Sequence, residues 1–206
     1  MITIVNYGSG NINAIGNIYT RLNIPFSIAH EPKSLIGAEK IILPGVGAFD
    51  ETMSVLDKSG FREVLDEEVL GKKTPVIGVC VGMQILSEKS QEGKLHGLGW
   101  IKGEVKKFDI NKLQLKPKIP HLGWNSVKKS KESPIFSNID EEQGFYFLHS
   151  YYFECADPAD ILSQTNYGGE FTSSINHENI YGVQFHPEKS HTNGITLLKN
   201  FANLNA

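Results

Sequence analysis

Residues 75–86 constrain the fold of this chain more than any other stretch. They read Pro75-Val76-Ile77-Gly78-Val79-Cys80-Val81-Gly82-Met83-Gln84-Ile85-Leu86. The run before Cys80 has no polar alternation, as expected of a strand covered on both faces, the situation of a parallel strand in a layered α/β sheet. Gly-x-Cys-x-Gly then predicts a sharp turn into a helix, a geometry that projects the central residue from the carboxyl end of the sheet. Gly78 and Gly82 leave room for the backbone to turn and for a substrate to approach. A helix beginning near Val81 directs its positive end at the sulfur and favours the thiolate. The Val81 amide is then placed to hydrogen-bond a developing oxyanion.

A lone cysteine is more often a small buried apolar residue than a nucleophile. The flanking glycines and the strand-to-helix setting reverse that preference for Cys80. Cys155, in Phe153-Glu154-Cys155-Ala156, lacks that setting and is read as structural. Two cysteines make no disulfide framework and fit a reducing, cytoplasmic compartment.

The rest of the first half alternates strand and helix. Residues 2–5 and 26–29 read as strands, and 40–43 as a third strand that Pro44-Gly45-Val46-Gly47 stops. Residues 11–22 and 51–70 carry helical spacing, the latter interrupted at Gly60. This order implies parallel pairing with right-handed crossovers. In the second half, 100–108, 119–127, 145–154, 171–176 and 180–185 read as strands, and 194–203 as a closing helix. An open α/β sheet, mostly parallel at its centre, flanked by helices and extended by antiparallel strands, accounts for the pattern. The 206 residues, 40% hydrophobic, suit one domain spanning 1–206.

Composition narrows the partners. Lys and Arg number 20 against 23 Asp and Glu, so no basic excess attracts nucleic acid or anionic lipid. No apolar run approaches the roughly 18–20 residues that span a bilayer, and the first residues show neither a basic region nor a cleavage site.

A thiolate nucleophile needs a proton-transfer partner and a group that orients it. Tyr181-Gly182-Val183-Gln184-Phe185-His186-Pro187-Glu188-Lys189-Ser190 offers both. An apolar strand ends at His186, Pro187 fixes the backbone as the chain leaves the sheet, and the Glu188 carboxylate can reach the imidazole. His-Pro-Glu alone is more often a surface turn. Here both segments are strand ends, where ligands of open α/β sheets collect. The remaining histidines show no metal-ligand spacing, so no metal is called for. Gly8-x-Gly10 lacks the third glycine of a dinucleotide fingerprint, since position 13 is Asn13, and no cofactor is expected.

With these residues in place the chain resembles the class I (triad) glutamine amidotransferases, which are flavodoxin-like. Within them it is similar to the glutaminase-subunit family of imidazole glycerol phosphate synthase. The resemblance spans essentially the whole chain. Besides the cysteine and histidine motifs it includes Tyr7-Gly8-x-Gly10-Asn11, Pro44-Gly45-Val46-Gly47-Ala48-Phe49, Pro120-His121-Leu122-Gly123-Trp124-Asn125 and Tyr146-Phe147-Leu148-His149-Ser150-Tyr151. It implies that Cys80 attacks the glutamine carboxamide and forms a glutamyl thioester, with His186 moving protons and Glu188 orienting it. Val46 and Gly47 fall on the family's second oxyanion strand, where the Val46 peptide has to turn before its amide can help. Gln84, Glu92, His149, Ser150 and Tyr151 match positions that hold the substrate. Trp124, Asn125, Tyr146 and Lys189 match the face that docks on a (β/α)8-barrel cyclase, forming a heterodimer through which ammonia passes.

Some positions depart from the histidine-pathway pattern: Asn6, Ser9, Val81, Trp100, Leu122 and His191. They leave the triad intact and keep a second ammonia acceptor open, a sugar amidinated for surface glycans. A cysteine peptidase on a similar fold and an inactive scaffold are the remaining readings. The close His186-Pro187-Glu188 spacing and the carboxamide-site residues speak against the first, and the three triad residues together against the second.

Overall fold

The structure is a computed structural model that describes residues 1–109, 111 and 119–204. The first half is built from β1 (Ile2–Val5), α1 (Ile12–Arg21), β2 (Phe26–Ala29), β3 (Lys40–Gly45), α2 (Phe49–Ser59), α3 (Phe61–Asp66), β4 (Val76–Cys80) and α4 (Val81–Gln84). The second half holds β5 (Lys89–Ser90), β6 (Gly103–Lys107), β7 (His121–Asn125), β8 (Lys128–Lys129), β9 (Phe145–His149), β10 (Tyr151–Cys155), β11 (Ile161–Asn166), β12 (Glu170–His177), β13 (Ile180–Val183) and α5 (His191–Ala202).

Five strands form the parallel core, in the order β2-β1-β3-β4-β13. All residues of β1, β3 and β4 are buried, which is why their sequences carry no polar face. β12 continues the sheet antiparallel to β13, and β10, β6 and β5 extend it to the far edge. α1 presents Ile15, Ile18 and Tyr19 to the core, and α5 presents Leu197, Leu198 and Phe201. The Tyr19 hydroxyl donates to the Leu198 carbonyl at 3.1 Å, joining the two helices. Among the described residues no helix is long and apolar enough to cross a membrane.

Gly60 breaks the second helical region as expected. Its φ of +77° caps α2 in the left-handed conformation, and α3 starts in a new direction. Several boundaries differ from expectation; β13, for one, ends at Val183, two residues short of the expected strand end at Phe185. β3 runs on through Pro44 and Gly45, because Gly45 pairs with Cys80 at the end of β4. The closing helix starts at His191, three residues before Gly194. Residues 145–154 form no single strand: β9 pairs with β7 in a separate two-stranded sheet, whereas β10 pairs with β6 and β12. Phe145, Phe147, His149 and Phe153 are buried, but Ser150, Tyr151 and Tyr152 are all half-buried, so the alternation lapses where the partner changes. β11 escapes sequence reading because its buried residues include Ser163 and Thr165; the Ser163 hydroxyl pairs with those of Ser173 at 2.9 Å and Ser174 at 2.6 Å.

Candidate active site

Cys80 ends β4 with φ +56° and ψ −114°, a conformation rarely taken by a residue with a side chain. Strain of this kind costs on the order of 1–3 kcal/mol and persists only where the surroundings impose it. Here the end of β3 imposes it. A Cβ on Gly82 would lie 2.0 Å from the Leu43 oxygen, and one on Gly45 would lie 2.4 Å from the Gly82 nitrogen. A Cβ on Gly78 would meet the Gly82 oxygen at 2.4 Å. The glycines around Cys80 are thus required first for backbone against backbone, a stricter demand than room for a substrate. The helix after the turn is also shorter than expected, since α4 has four residues. No long-helix dipole stands behind the sulfur. What remains is the first-turn N–H groups, Val81 foremost, that find no acceptor within the helix.

His186 is held from both sides. Its N–H donates to the Tyr146 carbonyl at 2.9 Å, and the Ser190 hydroxyl donates to its carbonyl at 2.6 Å. A 3-10 turn over Pro187–Lys189 folds Glu188 back, so that Glu188 Oε1 lies 2.9 Å from His186 Nδ1. Both side chains are almost wholly buried. With Nδ1 committed to the carboxylate, Nε2 is left for Cys80. Burial pulls the imidazole's pKa down, but the bonds to Cys80 and Glu188 and their negative charges outweigh it and hold the value at about 10. The other oxygen, Glu188 Oε2, is buried without a hydrogen-bond partner among the described residues. Oε1 alone carries the contact with the imidazole.

A cleft of about 260 Å³ opens at the sulfur. It brings together Cys80 and His186, the oxyanion candidates Val46, Gly47 and Val81, and the substrate candidates Gln84, Glu92, His149, Ser150 and Tyr151. Lys189 also reaches it, with its Nζ 5.7 Å from the centre of the Tyr146 ring. Three of the substrate candidates have side chains partly engaged elsewhere. Gln84 Nε2 donates to the Tyr151 carbonyl and to Gln184 Oε1, each at 3.0 Å. Glu92 Oε2 accepts the Phe49 N–H at 2.8 Å, capping α2 where Ala48 offers no side-chain cap. His149 Nδ1 donates to the Tyr151 carbonyl at 2.8 Å, and its Nε2 lies 3.1 Å from His121 Nδ1. Burial lowers the His149 pKa to about 3, so this ring is neutral and offers no charge to a ligand. The second cysteine stands apart: burial pushes the Cys155 thiol up to about 12, which makes it unreactive.

The β7–β9 pair has two unlike faces. Leu122 pairs with Leu148 and Trp124 with Tyr146 on the outer face. Leu122 is 60% exposed, Trp124 42% and Leu148 37%. The Trp124 ring stacks on His191, centroids 5.3 Å apart and planes within 4°. Asn125 belongs to the opposite face: its Nδ2 lies 3.2 Å from His121 Nε2 and donates to the Asn166 carbonyl at 2.9 Å. Of the four docking candidates, Asn125 is the one whose side chain turns inward. Leu122 and Leu148 are not among those docking candidates, because an apolar residue in a strand gives no sign of which face it takes.

The glutamine amidotransferase class-I family model matches residues 10–204. The chain is 51% identical to imidazole glycerol phosphate synthase subunit HisH of Leptospira borgpetersenii, over 99% of this chain and 100% of that protein. It is 52% identical to the subunit of the same name from Bdellovibrio bacteriovorus, again over 99% and 100%. Among solved structures, PurLQS from Thermotoga maritima superposes with a TM-score of 0.74 at 16% identity, covering 98% of this chain and 97% of that one. A glutamine amidotransferase from the same organism gives 0.61 at 18% identity, covering 91% of this chain and 75% of that one. These two likenesses speak for the fold.

Proposed function

The chain belongs to the class I glutamine amidotransferases, and from that membership we infer that it is the glutaminase subunit of an imidazole glycerol phosphate synthase. The observation that carries the chemistry is the strained Cys80 at the floor of a cleft it shares with His186, itself bonded to buried Glu188. In this reading the Cys80 thiolate attacks the glutamine carboxamide carbon. The oxyanion that forms is met by the Val81 amide and, once turned inward, by an amide of the Val46–Gly47 strand. His186 protonates the departing ammonia, leaving a glutamyl thioester. It then takes a proton from the water that hydrolyses the thioester to glutamate. Glu188 holds the imidazole in the tautomer that both steps need. Gln84, Glu92, Ser150 and Tyr151 hold the amino-acid end of the substrate.

The partner is a (β/α)8-barrel cyclase subunit in a cytoplasmic heterodimer with lyase activity, and this chain is one domain of it. The exposed Leu122, Trp124 and Leu148 support that docking, because Leu148 also lines the cleft and so links the apolar face to the place where ammonia is released. The names of the relatives speak for the histidine pathway; the sugar-amidination alternative gains no support from them.

The test is glutamine hydrolysis by the chain alone and with the host's barrel subunit, with and without that barrel's nucleotide ligand. Ligand-dependent stimulation that vanishes in Cys80→Ser, with binding to the barrel retained, is the expected result. Hydrolysis surviving in Cys80→Ser would sink the mechanism, and an unresponsive barrel would sink the pathway.

A further inference from the structure

We propose that Gln184 is a further catalytic residue of this site, its side-chain amide donating to the Cys80 sulfur and stabilising the thiolate. The proposal rests on the reading of Cys80 as the nucleophile. The parallel register pairs Val183 with Val79, so the next residue of each chain stands level: Gln184 beside Cys80. On the other side of Cys80 the partner is Gly45. Gln184 is completely buried, and its Nε2 lies 3.8 Å from Cys80 Sγ.

The direction of that amide follows from its neighbours. Gln84 Nε2 lies 3.0 Å from the Tyr151 carbonyl, which can only accept, so this end of Gln84 must be the nitrogen. The same nitrogen lies 3.0 Å from Gln184, so the end of Gln184 facing it must be the oxygen Oε1. The nitrogen of Gln184 is thereby turned to the sulfur. The two protonation states of Cys80 then have different partners. The thiol donates to the Leu148 carbonyl, 4.0 Å away. The thiolate finds that carbonyl repulsive and takes donors from Gln184 and His186 instead. Gln184 thus favours the charged form selectively.

The other titratable groups around the sulfur are His186 with Glu188 behind it, Tyr7 from the first loop, and Glu92, His149 and Lys189 of the cleft. All of them are retained when Gln184 alone is changed. The experiment follows alkylation of Cys80 by iodoacetamide against pH in the full chain carrying Cys155→Ala, with the modified site read by mass spectrometry. Two variants are compared with the parent: Gln184→Met, of similar volume and without a donor, and Gln184→Glu, which keeps an acceptor for Gln84 but sets a carboxylate oxygen against the sulfur. The alkylation midpoint is expected to move up by about one pH unit in each, a tenfold loss of thiolate, as when a hydrogen bond to a charged group is removed. Turnover should fall by about the same factor while KM for glutamine stays within about twofold. An unmoved midpoint in either variant that keeps the parent's thermal unfolding would overturn the proposal. Should Gln184→Met not fold, Gln184→Glu decides alone. Glutamine hydrolysis by a Cys80→Ser control would instead overturn the nucleophile reading beneath it.

Discussion

The Ser9 hydroxyl lies 2.9 Å from the Val46 nitrogen and 3.0 Å from the Val46 oxygen, so one side chain engages both backbone polar groups of a residue proposed for the second oxyanion strand. It accepts the N–H that oxyanion stabilisation would need, and it donates to the C=O. Two neutral hydrogen bonds are together worth about 1–3 kcal/mol. Ser9→Ala is therefore expected to raise the resting glutaminase rate about fivefold or more and to shrink the stimulation by the barrel partner. A resting rate equal to that of the parent would show that Ser9 does not restrain the strand.

Glu188 holds His186 in a protonation state that two observables report. The folded pKa of about 10, raised against burial by Cys80 and Glu188 together, stands above the ordinary value near 6.5, so these contacts stabilise the fold fully below about pH 6.5. That contribution is lost as pH rises through about 10. In Glu188→Gln the alkaline fall in thermal stability should begin at lower pH. Turnover should drop about 100- to 10,000-fold, the range of general acid–base catalysis, with KM little changed. Thermal unfolding and initial rates against pH check both.

The buried pair His121 and His149 acts in the opposite sense. Burial lowers their pKa values to about 4 and about 3, so both rings are neutral in the fold. Below about pH 6.5 the unfolded chain binds two protons that the folded chain refuses, and stability declines as pH falls toward 4. Each proton contributes a slope of about 1.4 kcal/mol per pH unit. His121 is packed between Phe147 and Tyr167, at centroid distances of 4.7 and 4.0 Å, which suits His121→Phe as the test. Denaturant titrations from neutral to mildly acidic pH should show the slope reduced by about one proton in that variant, and an unchanged slope would contradict the assignment.

The outer face of β7 and β9 predicts where binding energy concentrates. Trp124, braced by His191 and flanked by Leu122, has the properties of an interface anchor. Trp124→Ala should weaken binding to the barrel subunit by about 30-fold or more, equivalent to about 2 kcal/mol. Glutamine hydrolysis by the isolated chain should stay the same, because Trp124 lines no part of the cleft. Calorimetric titration of the two subunits measures the first, and a rate assay on the chain alone the second.

Much of the molecule is legible without coordinates, because burial leaves a periodic trace along a single element. The apolar runs of β3 and β4, the glycines around Cys80 and the Phe185-His186-Pro187-Glu188 strand end each carry their meaning within a dozen residues. The parallel core and the three residues brought together around the sulfur follow from them. Strand partners leave no such trace. Residues 145–154 read as one strand while the chain passes from one sheet to another, since side-chain patterning records facing and not the neighbouring strand. The contact of Ser9 with Val46 and that of Gln184 with Cys80 span 37 and 104 positions. Only the strand order and register decided them: β1 beside β3 brings Ser9 to Val46, and β13 beside β4 brings Gln184 to Cys80.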